Sequence, residues 1–462
     1  EINAKISEEI FQGEEIVVQA ERPVVQVDVS SSQVNFSKEE IKNLPIASVS
    51  AVVGLQAGAD GLSIRGGGSD ELAFNVNGMT MRDERTNQPL TNISFTSISN
   101  IQVQTGGFNA EYGNIRSGLI NVTTKDGDKE KYEVDALIRY TPAQPKNLDE
   151  YGSDPNSFFM RPYIDDAVAW TGTENGAWDS WTQDQYPRFE GWYKISEDLL
   201  NDGNPNNDLT PEAAQQLFKW QMRKSFEIQN PDYDIDLNIG GPVPGISKML
   251  GDLRFNFSMR KTQSVYMIPL ATDRYLADSY MLKLTSDLAK GMKLSLEGMY
   301  GYDSGTSASR DGSASFFVSS SGIASAMDRV SFQDTRIFSD SYWNPTSRKY
   351  FSAGATLTHT LSANTYYEVR YNNVTSFYDT NLGRSRDSTG VFTVGGLSFD
   401  EAPYGFYPLP ANGIGSGMRM GVGMSTARDS SMVSVNTLKF DSLLSINMIY
   451  GGAIEFELHT FS

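Results

Sequence analysis

No cysteine occurs among the 462 residues, which removes disulfides, thiolate metal sites and thiol nucleophiles together. Histidine is nearly absent too. His359 and His459 are the whole supply, too little for a histidine-rich metal centre or a Ser-His-Asp triad. Positive charge is in deficit: 38 Lys and Arg stand against 57 Asp and Glu, for a formal charge of −19. A surface of that sign repels phosphate backbones, so no nucleic acid is expected as a partner. Nowhere does an apolar run reach the length of a transmembrane helix. That leaves a transmembrane β-barrel open, because its strands are only about ten residues long and alternate. What the chain has is glycine and aromatics, with Gly 41, Tyr 22, Phe 24 and 11% aromatic residues. That composition fits a β-rich envelope protein, with a soluble array of β-sandwiches as the alternative.

The organisation changes along the chain. Residues 1–12 read as the tail of an upstream β domain, residues 13–20 ("GEEIVVQA") as a short apolar patch, and residues 21–40 as a polar linker. Residues 41–125 read as a compact α+β unit, with a helix over Ser37–Val53 leading into it and strands at 62–66, 72–79, 98–106 and 118–125. Asn77-Gly78 marks a tight turn. From Tyr132 onward, segments of eight to twelve residues alternate strictly. "LRFNFSMR" sets Leu253, Phe255, Phe257 and Met259 on one face and Arg254, Asn256, Ser258 and Arg260 on the other. "YMLKLTSDL", "MKLSLEGMY" and "TYYEVRYN" repeat the pattern. Tight connections at 289–291 and 362–364 alternate with long ones at 141–233, about 261–279, 303–349 and 379–431. Short turns at one end and long loops at the other favour an outer-membrane barrel over a sandwich.

These residues resemble a family. "LSIRGGGSDELAFNVNGM" at 62–79 and "ISNIQVQTGGFNAEYGNIRSGLINVTTK" at 98–125 are similar to two stretches of the plug domain in TonB-dependent outer-membrane transporters. "EEIVVQA" at 14–20 resembles the TonB box. Residues 234–242 and 436–458 further resemble the SusC-like branch with a carboxypeptidase-regulatory-like N-terminal domain. The resemblance implies an α+β plug domain inside a transmembrane antiparallel β-barrel of the 22-stranded type, in the bacterial outer membrane. After Lys125 the sequence supplies only about the first nine strands, residues 126–462, so the chain is expected to stop mid-barrel with an open sheet. Glu15, Ile16, Val17 and Val18 would then couple to a TonB-like periplasmic protein by strand addition. Arg65 matches an arginine that locks plug to barrel. The family's second such arginine falls at Thr105, so Arg116 is the candidate substitute. A SusD-like lipoprotein is a further implied partner, beside outer-membrane lipid.

The loop 141–233 holds Trp170, Trp178, Trp181, Trp192 and Trp220, five of six tryptophans. From 141 to 235, 17 acidic residues stand against 7 basic ones. The stretch is too aromatic for disorder and is expected to fold as an outward cap. "TPEAAQQLFKWQ" reads as a helix with Thr210 as N-cap and Pro211 in its first turn. Trp178, Trp181 and Trp192, with Arg82, Asp83 and Arg85 of the plug, are the candidate ligand or partner contacts. The alternative for the tryptophans is the loop's own core. Asp202, Asn204, Asn206 and Asp208 alternate as Ca²⁺ ligands can, although an Asx-rich turn explains them equally; no other cofactor is called for. No constellation supports an enzyme. The expected function is TonB-dependent active transport of a nutrient ligand, a glycan, a peptide or a siderophore-like molecule. The alternative is a non-transporting docking or structural subunit of an outer-membrane complex.

Overall fold

The computed structural model describes residues 33–37, 40, 48–106, 115–146, 154, 157, 160–205, 207–309, 315–330, 343–362, 365–381, 391–400, 413–415, 418–419, 427–448 and 452–457. The first unit contains β1 (Gln33–Ser37), β2 (Ala59–Asp60), β3 (Ser63–Ile64), β4 (Leu72–Val76), β5 (Met79–Thr80), β6 (Ile98–Gln104) and β7 (Gly118–Thr124). Five of these form one sheet in the order β1-β6-β7-β4-β5. β4 and β7 run parallel, and the other pairs are antiparallel. The sheet and the helix Val49–Val53 bury Val52, Ile64, Phe74, Ile101 and Ile120 completely. Asn77 and Gly78 both have positive φ, 51° and 82°, in a two-residue turn between β4 and β5, as an Asn-Gly hairpin requires. Gly118 answers to packing instead, because a Cβ there would overlap Ile64 Cδ1.

One expectation changes here. Ser37 closes β1, which extends the sheet into the stretch read as linker. Glu40 is helical, its N donating to Ser37 Oγ (3.4 Å), and the helix Val49–Val53 has its own cap, the Ser48 hydroxyl accepting from Ala51 N (3.2 Å); residues 41–47 lie outside the described residues.

The second unit is a nine-stranded antiparallel wall. It contains β8 (Glu133–Thr141), β9 (Asp232–Pro242), β10 (Arg254–Val265), β11 (Arg274–Ala289), β12 (Met292–Thr306), β13 (Pro345–Ser362) and β14 (Thr365–Thr380). Two small strand pairs follow in the next loop, β15 (Val391–Val394) with β16 (Leu397–Asp400) and β17 (Gly413–Gly415) with β18 (Met418–Arg419). β19 (Asp429–Met448) and β20 (Gly452–Glu457) follow in the wall, which runs from β8 to β20 in chain order and, among the described residues, is open at both edges. β10 and β11 are longer than expected, leaving a loop of only 266–273 between them. Above the bilayer the outer face no longer needs apolar residues. The alternation therefore fades at Lys261 and Asp278 while the ladder continues, with those two side chains paired at 3.3 Å.

The wall has an inverted polarity. Asn256, Thr285, Lys283, Glu297 and Asp303 are buried on the inner face, whereas Leu282, Leu296, Phe351, Tyr371 and Phe377 are exposed on the outer one. No water-soluble sheet arranges its faces so, and a lipid-facing one does. A row of rings crosses four strands on that outer face: Tyr280 to Tyr300 (6.2 Å), Tyr300 to Phe351 (4.9 Å) and Phe351 to Phe377 (6.2 Å). It matches the aromatic girdle that marks a membrane–water boundary.

Over the long-loop end sits a cap with its own core. Trp192, Phe218, Tyr163 and Phe189 pack ring against ring at 4.7–5.5 Å. Tyr266, Ile268, Phe317, Ile323 and Val394 from the other loops join the same cluster, so several loops share one apolar interior. The helix Pro211–Gln221 supplies Leu217 and Phe218. Thr210 caps it, its hydroxyl accepting from Ala213 N (3.3 Å). Thr210→Ala is expected to lower cap stability by about 1 kcal/mol, read as faster amide exchange in the first turn at 211–214 with the wall unaffected.

Candidate functional site at the seam between plug and wall

The first unit lies against the inner face of the wall. Met281, Met299 and Tyr350 of the wall join its apolar core, yet most of the contact is polar. Three carboxylates organise it.

Asp83, on the segment after β5, is fully buried and meets the Arg348 guanidinium at 2.7 Å. The same guanidinium holds Asp303 of β12 at 2.6 Å. Asp83 also accepts from Tyr378 OH (2.9 Å) and from Arg85 N (2.9 Å). Burial opposes its charge, but the charge and hydrogen bond of Arg348 outweigh that and hold the carboxyl below the ordinary aspartate range. Asp236 of β9 works in the opposite direction. Its carboxylate, on the wall and 1% exposed, accepts from Ser94 Oγ (2.6 Å), Phe95 N (2.5 Å) and Thr96 Oγ1 (2.5 Å) of the plug. Asp126, on the chain leaving the plug, is held by Lys283 (2.7 Å) and Lys293 (2.5 Å) of the wall. There too burial is outweighed by the two ammonium groups, and the carboxyl is held low.

Lesser ties complete the seam. Asn77 Nδ2 donates to Glu297 (2.6 Å), Arg370 to Gly78 O (3.2 Å) and Lys125 to Asp135 (2.7 Å). Between these ties lies a cavity of about 650 Å³ lined by Asn75, Asn77, Gln102, Lys283, Glu297 and Arg370. Its lining is hydrophilic, so water can stand in for each protein partner when the surfaces separate.

The structure redistributes the expected site residues. Arg65 and Arg116 do not reach the wall described here. Arg65 has left-handed backbone (φ 54°), which turns its side chain to Thr105 Oγ1 at 3.4 Å. Arg116 is exposed and stands 3.9 Å from Glu71 of its own unit. The seam is instead locked by plug carboxylates on wall cations and by a wall carboxylate on plug donors. Asp83 is therefore a structural anchor and not a ligand contact. Arg85 is also tied to the wall, through Asp429 and Ser431 Oγ (3.0 Å), with its guanidinium over the Tyr378 ring. Arg82 pairs with Glu84 (2.9 Å) beside a cavity of about 280 Å³. Of the tryptophans, Trp192 is cap core, its Nε1 donating to Tyr163 O (2.7 Å). Trp178 is buried too, its Nε1 donating to Asp165 (3.3 Å) beside Tyr186. Their rings are consumed by the cap's own packing. Trp181 is 80% exposed.

In the 202–208 turn, Asp202 accepts from Asn204 N (2.7 Å) and from Asn207 Nδ2 (2.7 Å), the bonds of an Asx turn. Asn206 lies outside the described residues, as do Glu15, Ile16, Val17 and Val18 and the glycine-aromatic segment 107–114. Among the described residues there is no group of three His, Asp or Glu placed to hold a metal. Pattern reading missed Asp126, Asp236, Lys283 and Arg348. The signal available was charge at lumen-face positions of strands where any small polar residue would satisfy the alternation.

A sheet with an apolar outer face and a charged inner face, with a separate domain seated on the charged side, is a plugged outer-membrane barrel wall. Residues 24–118 match the TonB-dependent Receptor Plug Domain family. The chain carries that plug domain, seated against a wall whose faces are those of an outer-membrane barrel. It is similar to the TonB-dependent transporter Oar of Myxococcus xanthus, 26% identical over 144 residues, which are 28% of this chain and 14% of that protein. Two solved structures are also similar. The siderophore receptor PirA of Acinetobacter baumannii has a TM-score of 0.46 at 12% identity, over 90% of this chain and 46% of that one. The alcaligin receptor FauA of Bordetella pertussis has a TM-score of 0.43 at 8% identity, over 92% and 45%. The chain thus spans about half the length of these receptors.

Proposed function

We propose that the chain is the plug-bearing part of a transporter that takes a nutrient ligand across the outer membrane without breaking any bond in it. A TonB-like periplasmic protein would supply the work by pairing with Glu15–Val18 and pulling. The observation that carries this reading is the polar seam. Its ties are charges and hydrogen bonds around a hydrophilic cavity, which water can replace one at a time, where an apolar seam would resist separation. The plug's sheet order adds a point of failure. Among the described residues β1 is an edge strand paired with β6, and a pull from the N-terminal side reaches the Gln33–Gln104 pair before the rest of the ladder and peels the strand bond by bond. Exposed Trp181 on the cap and Arg82 beside its cavity are the proposed ligand or lid contacts, with a glycan, peptide or siderophore-like molecule as the ligand class.

Deleting residues 14–20 from the full-length receptor tests the reading. Uptake is expected to disappear while ligand binding at the cell surface persists. Unchanged uptake, or an intact partner complex in cells that never took up a ligand, supports the docking-subunit alternative instead.

A further inference from the structure

The connection between β9 and β10 departs from the two-residue turn Lys290-Gly291 at the same end of the wall. It runs from Val243 to Leu253 and includes the helical turn Lys248–Leu250. Ile246, Met249 and Leu250 are 42%, 81% and 50% exposed, a dense set of bare apolar side chains for so short a segment.

Where the turn lies is fixed by Ser286. That residue pairs with Leu294 across the ladder, and its neighbours along the same face are Leu282 and Leu284, so it belongs to the lipid face of β11. Yet it is only 6% exposed. Its hydroxyl donates to Leu250 O (2.6 Å), and Asp287 N donates to Gly251 O (2.6 Å). Gly251 and Asp252, at φ 65° and 52°, reverse the chain to make this return possible. The segment therefore folds back against the outer side of β11 at Ser286 and covers a hydroxyl on the leucine-bearing face, leaving its own apolar side chains exposed. Lys248 is held at 2.8 Å by Asp252, so the apolar set carries no unpaired charge into that position.

We propose that residues 243–253 are a foot set into the interfacial layer of the inner leaflet. Ile246, Met249 and Leu250 enter the acyl boundary and Lys248 lies at headgroup level. The argument for lipid is continuity: the foot extends a face already turned to lipid and shares its composition. The inference rests on the outer-membrane reading of the wall.

None of these 462 residues is cysteine, so only cysteines elsewhere in the full-length receptor are first replaced by serine. A nitroxide is attached to Met249→Cys, and separately to Ile246→Cys, in the full-length receptor reconstituted into phosphatidylethanolamine–phosphatidylglycerol vesicles. Collision with oxygen, which favours lipid, is compared with collision with a water-soluble nickel chelate. Leu282→Cys and Lys290→Cys are the lipid and water references. The foot sites are expected to match Leu282, with oxygen collisions several-fold above those at Lys290 and nickel collisions several-fold below. Foot sites that behave like Lys290 while Leu282 remains in lipid overturn the foot and leave the wall standing. A nickel-accessible Leu282 overturns both.

Discussion

Arg348→Met is expected to weaken the hold of the wall on the plug by about 3–5 kcal/mol, the range for removing one partner from a buried ion cluster. Methionine keeps much of the volume of the stem, so the loss is one of charge and donors. Asp83 (0% exposed side chain) and Asp303 (3%) would be left facing each other with the guanidinium gone. Asp303 sits within the ladder of β12 with neighbours on both sides, so the plug is the part that yields. Amides over 81–90 should lose about a hundred- to a few-thousandfold in exchange protection, since each tenfold corresponds to about 1.4 kcal/mol. Those of β11–β13 should not change. Adding Asp83→Asn and Asp303→Asn should recover most of the loss, because neutral groups of the same shape leave no uncompensated charge. Arg348→Lys should fall between, keeping a cation but not the fork that reaches two carboxylates. Asp83 makes its own contribution to the pH dependence, which is read as the difference between the native protein and Asp83→Asn. Its folded pKa is depressed, so its contribution is fully present above the unfolded value of about 3.9 and is lost as pH falls through the lower folded one. That difference in protection over 81–90 should be flat from neutral pH to about 5 and should decline only in stronger acid. If Arg348→Met alone left that protection unchanged, the cluster would be a bystander.

The wall could be read from the sequence because lipid on one side and polar groups on the other impose strict alternation, and β10 to β14 carry it almost without interruption. The Asn77-Gly78 turn and the Thr210–Pro211 helix start were legible for a related reason, since each depends on chemistry within a few residues. The seam was not legible. Arg348 and Asp83 are 265 positions apart, and each alone is one more polar residue in a polar stretch. Trp178 and Trp192 misled because aromatic content measures how much area a loop has to bury, and leaves open whether it buries that area in itself or against a ligand. Arg65 keeps its expected place in the motif, and within the wall described here it meets only Thr105 of its own unit.

Asp236 is expected to be the second large sensitivity, and it separates electrostatics from shape. The plug turn 94–96 points hydroxyl and backbone N–H donors at one carboxylate, and Ser94 Oγ, Thr96 Oγ1 and Phe95 N all lie within 2.6 Å of it. Hydrogen bonds to a charged group contribute about 1.5–3 kcal/mol each and do not add fully, so Asp236→Ala should release the turn by about 3–4 kcal/mol. Asparagine has the same outline but supplies one acceptor oxygen and turns an NH₂ group toward donors. Asp236→Asn should therefore lose most of what alanine loses, through donor–donor opposition in a site closed to water. Glutamate keeps both acceptors but is a methylene longer, and at 1% exposure it has no room to fold back without shifting the turn. The readout is amide exchange over 94–98, with the β9–β10 ladder as the internal reference. An asparagine variant as protected as the native protein would mean that the carboxylate only fills space, and the plug would then be held by Arg348 and the two lysines without it.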